Sequence, residues 1–284
     1  MRPLLPDGGA PAVMAIVNRT PDSFYDGGAA WDPVAAADAV DRAVDEGADI
    51  VDVGGVKAGP GDEVDAAEEL RRVMPVLEAV RDRHPQVRLS LDTWRAEVAR
   101  EAGSVGLDLV NDTWAGADPG LGAVAAAIGA GIVCSHTGGA VPRTRPHRVR
   151  YVDVVADVVA DVTRQARAHV AAGVDPARVL VDPTHDFGKN TFHGLELLRR
   201  LDELVGTGWP VLMALSNKDF VGETLGTTEV TERLEGTLAA TAVAAWGGAR
   251  VFRAHEVAAT RRVVDMVASI RGDRAPARTV RALA

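Results

Sequence analysis

Eight short apolar runs, separated by Ala- and charge-rich stretches, constrain this chain more than any other feature. They are AVMAIVN (12–18), ADIVDVGG (48–55), RLSLDT (88–93), DLVNDT (108–113), GIVCSHT (131–137), RVLVDP (178–183), PVLMALSNK (210–218) and ARVFRAH (249–255). Near-continuous apolar character suits parallel strands covered on both faces. The stretches between them carry helical spacing. The segment 32–48 opens with Asp32 as an N-cap and Pro33 in its first turn, and Gly47 lies near its end. EELRRVMPVLEAVRDRH (68–84) and LELLRRLDELVGTG (195–208) are further helices, and AAG before Val174 and GTG before Trp209 are stop signals. Eight strand–helix units are the count of a TIM-type (β/α)8 barrel of the α/β class. A doubly wound open sheet shares the local pattern and is the alternative. The reading is one barrel domain over 1–271 and a C-terminal tail over 272–284.

Composition narrows the function. Hydrophobic residues make up 47% of the 284 but aromatics only 4%, so Ala, Val and Leu must fill the core. The net charge of −9 lacks the basic face that nucleic-acid backbone requires. A single cysteine, Cys134, excludes a disulfide within the chain and points to a reducing compartment. The opening MRPLLPDGGAP lacks a long apolar core, and no run approaches the ~20 residues of a membrane helix. The expectation is a cytoplasmic protein with no membrane partner. Cys134 reads as a small strand residue, not a nucleophile.

Each apolar run ends in polar residues: Asn18, Asp52, Asp92, Asn111 with Asp112, His136, Asp182, Ser216 with Lys218, and Arg253 with His255. In a barrel these ends ring one mouth, where chemistry is done. Asp92, Asn111 and Asp182 offer carboxylate and amide groups that fit a flat heterocycle with an amidine-like edge, such as a pterin or guanine. Lys218 supplies a donor, and Arg253 can lie flat against a ring. Asn18, Arg253 and His255 suit an anionic group, with a hard cation assisting through oxygen ligands. No serine sits in a nucleophile elbow, and no paired His or Cys spacing suggests zinc. FGKN (187–190) is not a P-loop, because Pro183 and Asn190 stand where Gly and Ser or Thr are required.

The second run empties into a loop with four glycines and one proline, IVDVGGVKAGPG (50–61). Such a loop lets a ligand approach backbone. Its only charge after Asp52 is Lys57.

These residues together resemble the dihydropteroate synthases, the pterin-binding barrels of folate synthesis. AIVNRTPDSFYDGG (15–28) resembles their N-terminal signature. DVGG (52–55) with Pro60-Gly61, SLDT (90–93), VND (110–112), SH (135–136), VDP (181–183) with FGK (187–189), Ser216 with Lys218, and RAHEV (253–257) follow in family order. The resemblance implies condensation of 6-hydroxymethyl-7,8-dihydropterin pyrophosphate with p-aminobenzoate. It implies that Asp92, Asn111, Asp182, Phe187, Lys218 and Arg253 bind the pterin, and that Asn18, Arg253 and His255 hold the pyrophosphate with Mg2+, Asn18 serving the metal. It also implies a homodimer. Methyltetrahydrofolate-dependent methyl transfer uses a related barrel, but TPDSF and FGK match the synthases better.

The departures lie on one side. The family pattern has Ser-Thr-Arg where this chain has Lys57, Ala58 and Gly59, and Arg where it has Asn217. Thr184-His185-Asp186 replaces small glycine-rich residues, with Asp186 adding charge and bulk. In these respects the chain resembles the divergent second paralogue of actinobacteria. The expectation is weak or lost synthase turnover and a weakened claim of p-aminobenzoate as partner. The alternatives are a non-catalytic or regulatory pterin-type binder and an enzyme of changed specificity. The basic stretch 140–150 reads as a solvated loop, with Arg143 or Arg145 swinging in as the second option. His193 reads as a helix-surface residue. Trp94 and Trp114 can line the mouth or pack between helices.

Overall fold

Numbered along the chain, the eight strands pair in parallel in the order 6-5-4-3-2-1-8-7, and a bridge between Val181 and Val211 brings the two ends of the sheet together. In this computed structural model residues 2–6, 9–20, 32–144 and 150–281 are described. The strands are β1 (Ala12–Asn18), β2 (Ile50–Gly54), β3 (Arg88–Asp92), β4 (Leu109–Asp112), β5 (Gly131–Ser135), β6 (Val179–Asp182), β7 (Leu212–Met213) and β8 (Val251–Ala254). The helices are α1 (Pro33–Asp45), α2 (Ala66–Arg83), α3 (Ala96–Ala102), α4 (Leu121–Ile128), α5 (Val154–Ala171), α6 (Thr191–Arg199), α7 (Leu201–Val205), α8 (Asp219–Leu225), α9 (Leu234–Trp246) and α10 (Val257–Arg271). The fold is the expected (β/α)8 barrel, and the open-sheet alternative falls away.

The period-2 alternation of a strand divides the apolar residues into two layers. An outer layer packs strands on helices and includes Val51, Val53, Leu89, Leu91, Ile132 and Cys134. An inner layer of Ala12, Met14, Ile50, Leu109, Val133, Leu180, Leu212 and Val251 fills the barrel, and Leu4 joins it. Two residues beyond Ile50, Leu109, Leu180 and Val251, on the same face, come Asp52, Asn111, Asp182 and Arg253. The polar mouth is therefore the next interior layer of the barrel.

Helix starts follow the sequence. Asp32 caps α1 by accepting from the N–H groups of Val34 and Ala35, as its position predicts. Two elements differ from expectation. The helix at 195–208 breaks at Arg200, whose φ of −113° leaves the helical region and whose guanidinium gathers Asp153, Glu196 and Glu203. The seventh strand is much shorter than 210–218. Pro210 has no N–H for the ladder, and Asn217 turns the chain into the left-handed region at φ 54°.

Candidate functional site

The mouth encloses a cavity of about 460 Å³, within the size of small-molecule sites. Asn18, Asp92, Asn111, Asp182, Phe187, Lys218, Arg253 and His255 all line it, as do Lys57, Ala58, Gly59 and Asn217. These twelve residues, all selected from the sequence, thus meet in one cavity, although they span 18–255 of the chain.

At the cavity floor, Arg253 donates from Nε to Asp52 Oδ2 at 2.7 Å and from Nη2 to Asp92 Oδ2 at 2.8 Å. Asp52 is fully buried and also accepts from Ser90 Oγ at 2.6 Å and Asn111 Nδ2 at 3.0 Å. Burial pushes the Asp92 carboxyl above the usual range; Arg253 opposes this and Asp52 reinforces it. Burial also raises Asp182, against the pull of the Thr184 N–H and of Lys218. Lys218 donates to the carbonyl of His185 at 2.5 Å and stands 5.0 Å from the centre of the Phe187 ring. Burial lowers its pKa, and Asp186 and Asp182 counter that. This floor can hold a flat, weakly charged ring between fixed donors and acceptors.

The wall beside it is rearranged. Gly54 keeps the floor narrow: a Cβ there would sit 3.4 Å from Asn18 Oδ1 and 3.5 Å from Asp92 Cβ. Next along, Lys57-Ala58-Gly59 presents one amine and no guanidinium. Asn217 is buried, donating to Glu256 at 2.7 Å and lying 3.4 Å from Thr237 Oγ1. Its amide is thereby held by α9 and by Glu256, just before α10. Thr184 and Asp186 adopt φ of 51° and 70°, conformations that favour glycine. Asp186 repays this by accepting the N–H groups of Asp219 and Phe220 at the start of α8. His185 packs on Phe220 and holds the Gly194 carbonyl at 3.2 Å; burial pushes its pKa down to about 3.

Three expectations need correction. Asp112 and His136, expected in the ring of strand ends, both fall one residue out of phase and face outward. Asp112 accepts from the N–H groups of Trp114 and Gly116, and His136 Nε2 meets Asp157 of α5 at 2.8 Å. The basic stretch is not simply solvated: Arg143 donates to the carbonyl oxygens of Lys57 at 3.3 Å and of Asp62. It grips the backbone of the glycine-rich loop instead of lying in the cavity, and Arg145 lies outside the described residues. His193 lies on α6, part-exposed and outside the cavity as expected, where it accepts from the Asn190 N–H in a capping box and packs edge-on to Tyr151. Trp114 is buried edge-on to Phe187, behind the cavity, while Trp94 stacks under Arg95.

Sequence reasoning missed Arg233 and Lys189. Arg233 reaches in from the start of α9 to bind the Asn217 carbonyl and the Asp219 carboxylate, both at 2.9 Å, and lines the cavity. Gly222 makes its room, since a Cβ there would lie 2.6 Å from Arg233 Nε. Lys189 donates to the carbonyls of His136, Thr184 and Phe187. No local pattern marks either role, because the partners are mostly backbone oxygens, those of His136 and Asn217 lying 53 and 16 residues away. For a metal, Asn18 supplies one amide oxygen, and among the described residues no cluster of three or more His, Cys, Asp or Glu side chains can hold an ion. That donor set does not fit a resident Mg2+, which needs octahedral oxygen ligation.

The geometry is that of a ligand-binding barrel mouth, and comparison with known proteins agrees. The family of pterin binding enzymes matches residues 14–255. The "Inactive dihydropteroate synthase 2" of Mycobacterium leprae is 65% identical over 96% of this chain and 94% of its own. The dihydropteroate synthase of Yersinia pestis, solved with a sulfonamide drug, has a TM-score of 0.89 at 35% identity, covering 95% of this chain and 97% of that one. The Xanthomonas albilineans synthase, solved with indole-2-carboxylic acid and 6-chloroguanine, has a TM-score of 0.84 at 36% identity, covering 94% and 95%. The chain belongs to the pterin-binding, dihydropteroate synthase family.

Proposed function

We propose that this chain binds a pterin-type heterocycle in the barrel mouth and carries out the synthase condensation weakly or not at all. One observation carries the reading: a complete floor of Asp92, Asn111, Asp182, Lys218 and Arg253 faces a wall whose loop has Ala58-Gly59 and no guanidinium. In the condensation, the C–O bond at the pterin methylene breaks as the arylamine nitrogen attacks, and diphosphate leaves. No strong base is required. The protein must instead hold the growing negative charge on the leaving group, and losing one donor to developing charge costs about 10²–10³ in rate. Asn111 and Asp182 orient the ring edge, Lys218 donates to it, and Phe187 shields it. The name of the M. leprae relative supports the same reading. So does the 6-chloroguanine bound by the X. albilineans synthase, a ring of the same amidine type.

Mg2+ belongs to this proposal only as a companion of a diphosphate, with Asn18 as its one protein ligand. p-Aminobenzoate is a weak candidate partner. The exposed Val243 and Trp246 of α9 and Met266 and Ile270 of α10 support a homodimer through these helices. A cytoplasmic location accords with one buried cysteine and with the absence, among the described residues, of a helix long and apolar enough to cross a membrane. The test is release of diphosphate from 6-hydroxymethyl-7,8-dihydropterin pyrophosphate by folded protein, with and without p-aminobenzoate. A rate near that of an ordinary synthase overturns the proposal.

A further inference from the structure

We infer that the cavity is built for an uncharged pterin-type heterocycle that carries no diphosphate tail. This rests on the pterin reading above and deepens it by naming the ligand's charge class.

The first support is the charge around the cavity. Among the described residues, Lys57, Lys218, Arg233 and Arg253 are the cations that line it. Asp92, Asp182, Asp186 and Asp219 line it with them. Asp52 and Glu256 stand directly behind, bonded to Arg253 and to Ser216 and Asn217. Four carboxylates thus line the cavity with four cations, and behind the lining Asp52 and Glu256 are set against Lys189, which acts on Asp182 and Asp186. Three of the four cations already face carboxylates: Arg253 is bound to Asp52 and Asp92, Arg233 to Asp219, and Lys218 is flanked by Asp182 and Asp186. A diphosphate brings several further negative charges into this field, and like charges placed together are strongly disfavoured. The lining has no surplus of positive charge to receive them.

The second support is how the polar groups on the tail side are used. Ser216 Oγ donates to Glu256 at 3.0 Å and lies 3.1 Å from His255 Nδ1. Asn217 donates its amide to the same Glu256. Donors that would otherwise turn toward an anion are engaged by a carboxylate within the protein. The third support is that the acidic side chain is seated at some conformational cost. Asp186 holds a left-handed φ of 70° and is anchored by the Asp219 and Phe220 N–H groups, so its carboxylate is a fixed part of the wall. The floor, by contrast, needs no ligand charge: an amide, a carboxylate and an amine meet a ring edge by hydrogen bonds alone.

The experiment is calorimetric titration of the folded protein with 6-hydroxymethyl-7,8-dihydropterin and, separately, with its diphosphate ester, each with and without Mg2+. The expected result is that the alcohol binds at least as tightly as the ester, within about threefold, and that Mg2+ changes neither. An ester that binds about tenfold or more tightly with Mg2+ overturns the inference while leaving the pterin reading intact. Binding of neither at about 1 mM, with a cooperative melt proving the fold, overturns the pterin reading and this inference together. Asp219→Asn provides a second check. It removes one carboxylate beside Arg233 and keeps an acceptor, so ester affinity rises about threefold and alcohol affinity stays level. An unchanged ester affinity in that variant overturns the charge argument.

Discussion

Arg253 of β8 reaches past β1 to two further strands, donating to Asp52 of β2 and Asp92 of β3 at 2.7 and 2.8 Å. The three groups are mutually dependent, because Asp52 is fully buried and Arg253 is its cation. Removing one member of such a set strands a buried charge, which costs about 3–5 kcal/mol.

Arg253→Ala is therefore expected to lower unfolding free energy by about 3–5 kcal/mol, read as a drop in the urea midpoint. Arg253→Lys retains the charge but not the fork that reaches both carboxylates, and should recover only part of the loss. A midpoint for Arg253→Ala within experimental error of the parent would show that the pair does not hold the floor.

Restoring the missing side chains tests the wall. Gly59 has open space around it: the one atom near a Cβ there is Lys57 Cε at 3.9 Å. Ala58→Thr combined with Gly59→Arg should raise p-aminobenzoate-dependent diphosphate release by about 10–10² over the parent. If the rate stays at the parent's level while the double variant melts normally, the block to turnover lies elsewhere in the mouth.

Arg143 holds the glycine-rich loop by two backbone carbonyls, those of Lys57 and Asp62. Each bond from a charged donor contributes about 1.5–3 kcal/mol. Arg143→Ala should speed amide hydrogen exchange across residues 55–62 by about tenfold or more and leave α9 and α10 unchanged. Equal exchange in the two proteins would remove the latch.

Asp112 gives a pH signature. Burial raises its carboxyl from 3.8 to about 6, against the Gly116 and Trp114 N–H groups. The folded state keeps this proton longer than the unfolded state. The stability it contributes is complete below the unfolded pKa and is lost as pH rises through about 6. Asp112→Asn keeps one acceptor oxygen for the two N–H groups, which the carboxylate meets with separate oxygens, and cannot ionise. The variant should lose less stability than the parent between pH 4 and pH 6.5, by up to about 3 kcal/mol in urea titrations. Parallel curves for the two proteins would rule Asp112 out as the source.

The sequence by itself determined the barrel and the floor of its mouth. Eight apolar runs require strands covered on both faces, and the period of two makes Asp52, Asn111, Asp182 and Arg253 the polar continuation of the interior residues Ile50, Leu109, Leu180 and Val251. The same period misled at Asp112 and His136, where polarity at a strand end meant a cap and a helix contact. The tertiary structure alone decided the wall. Asn217 is drawn away by Glu256, Arg233 arrives through the space left by Gly222, and Arg143 crosses from another loop to hold Lys57 and Asp62. Those contacts join residues between 11 and 86 positions apart and end mostly on backbone oxygens, which every residue carries. Side-chain chemistry is written in the sequence, but the partner of a backbone carbonyl is chosen only when distant segments meet.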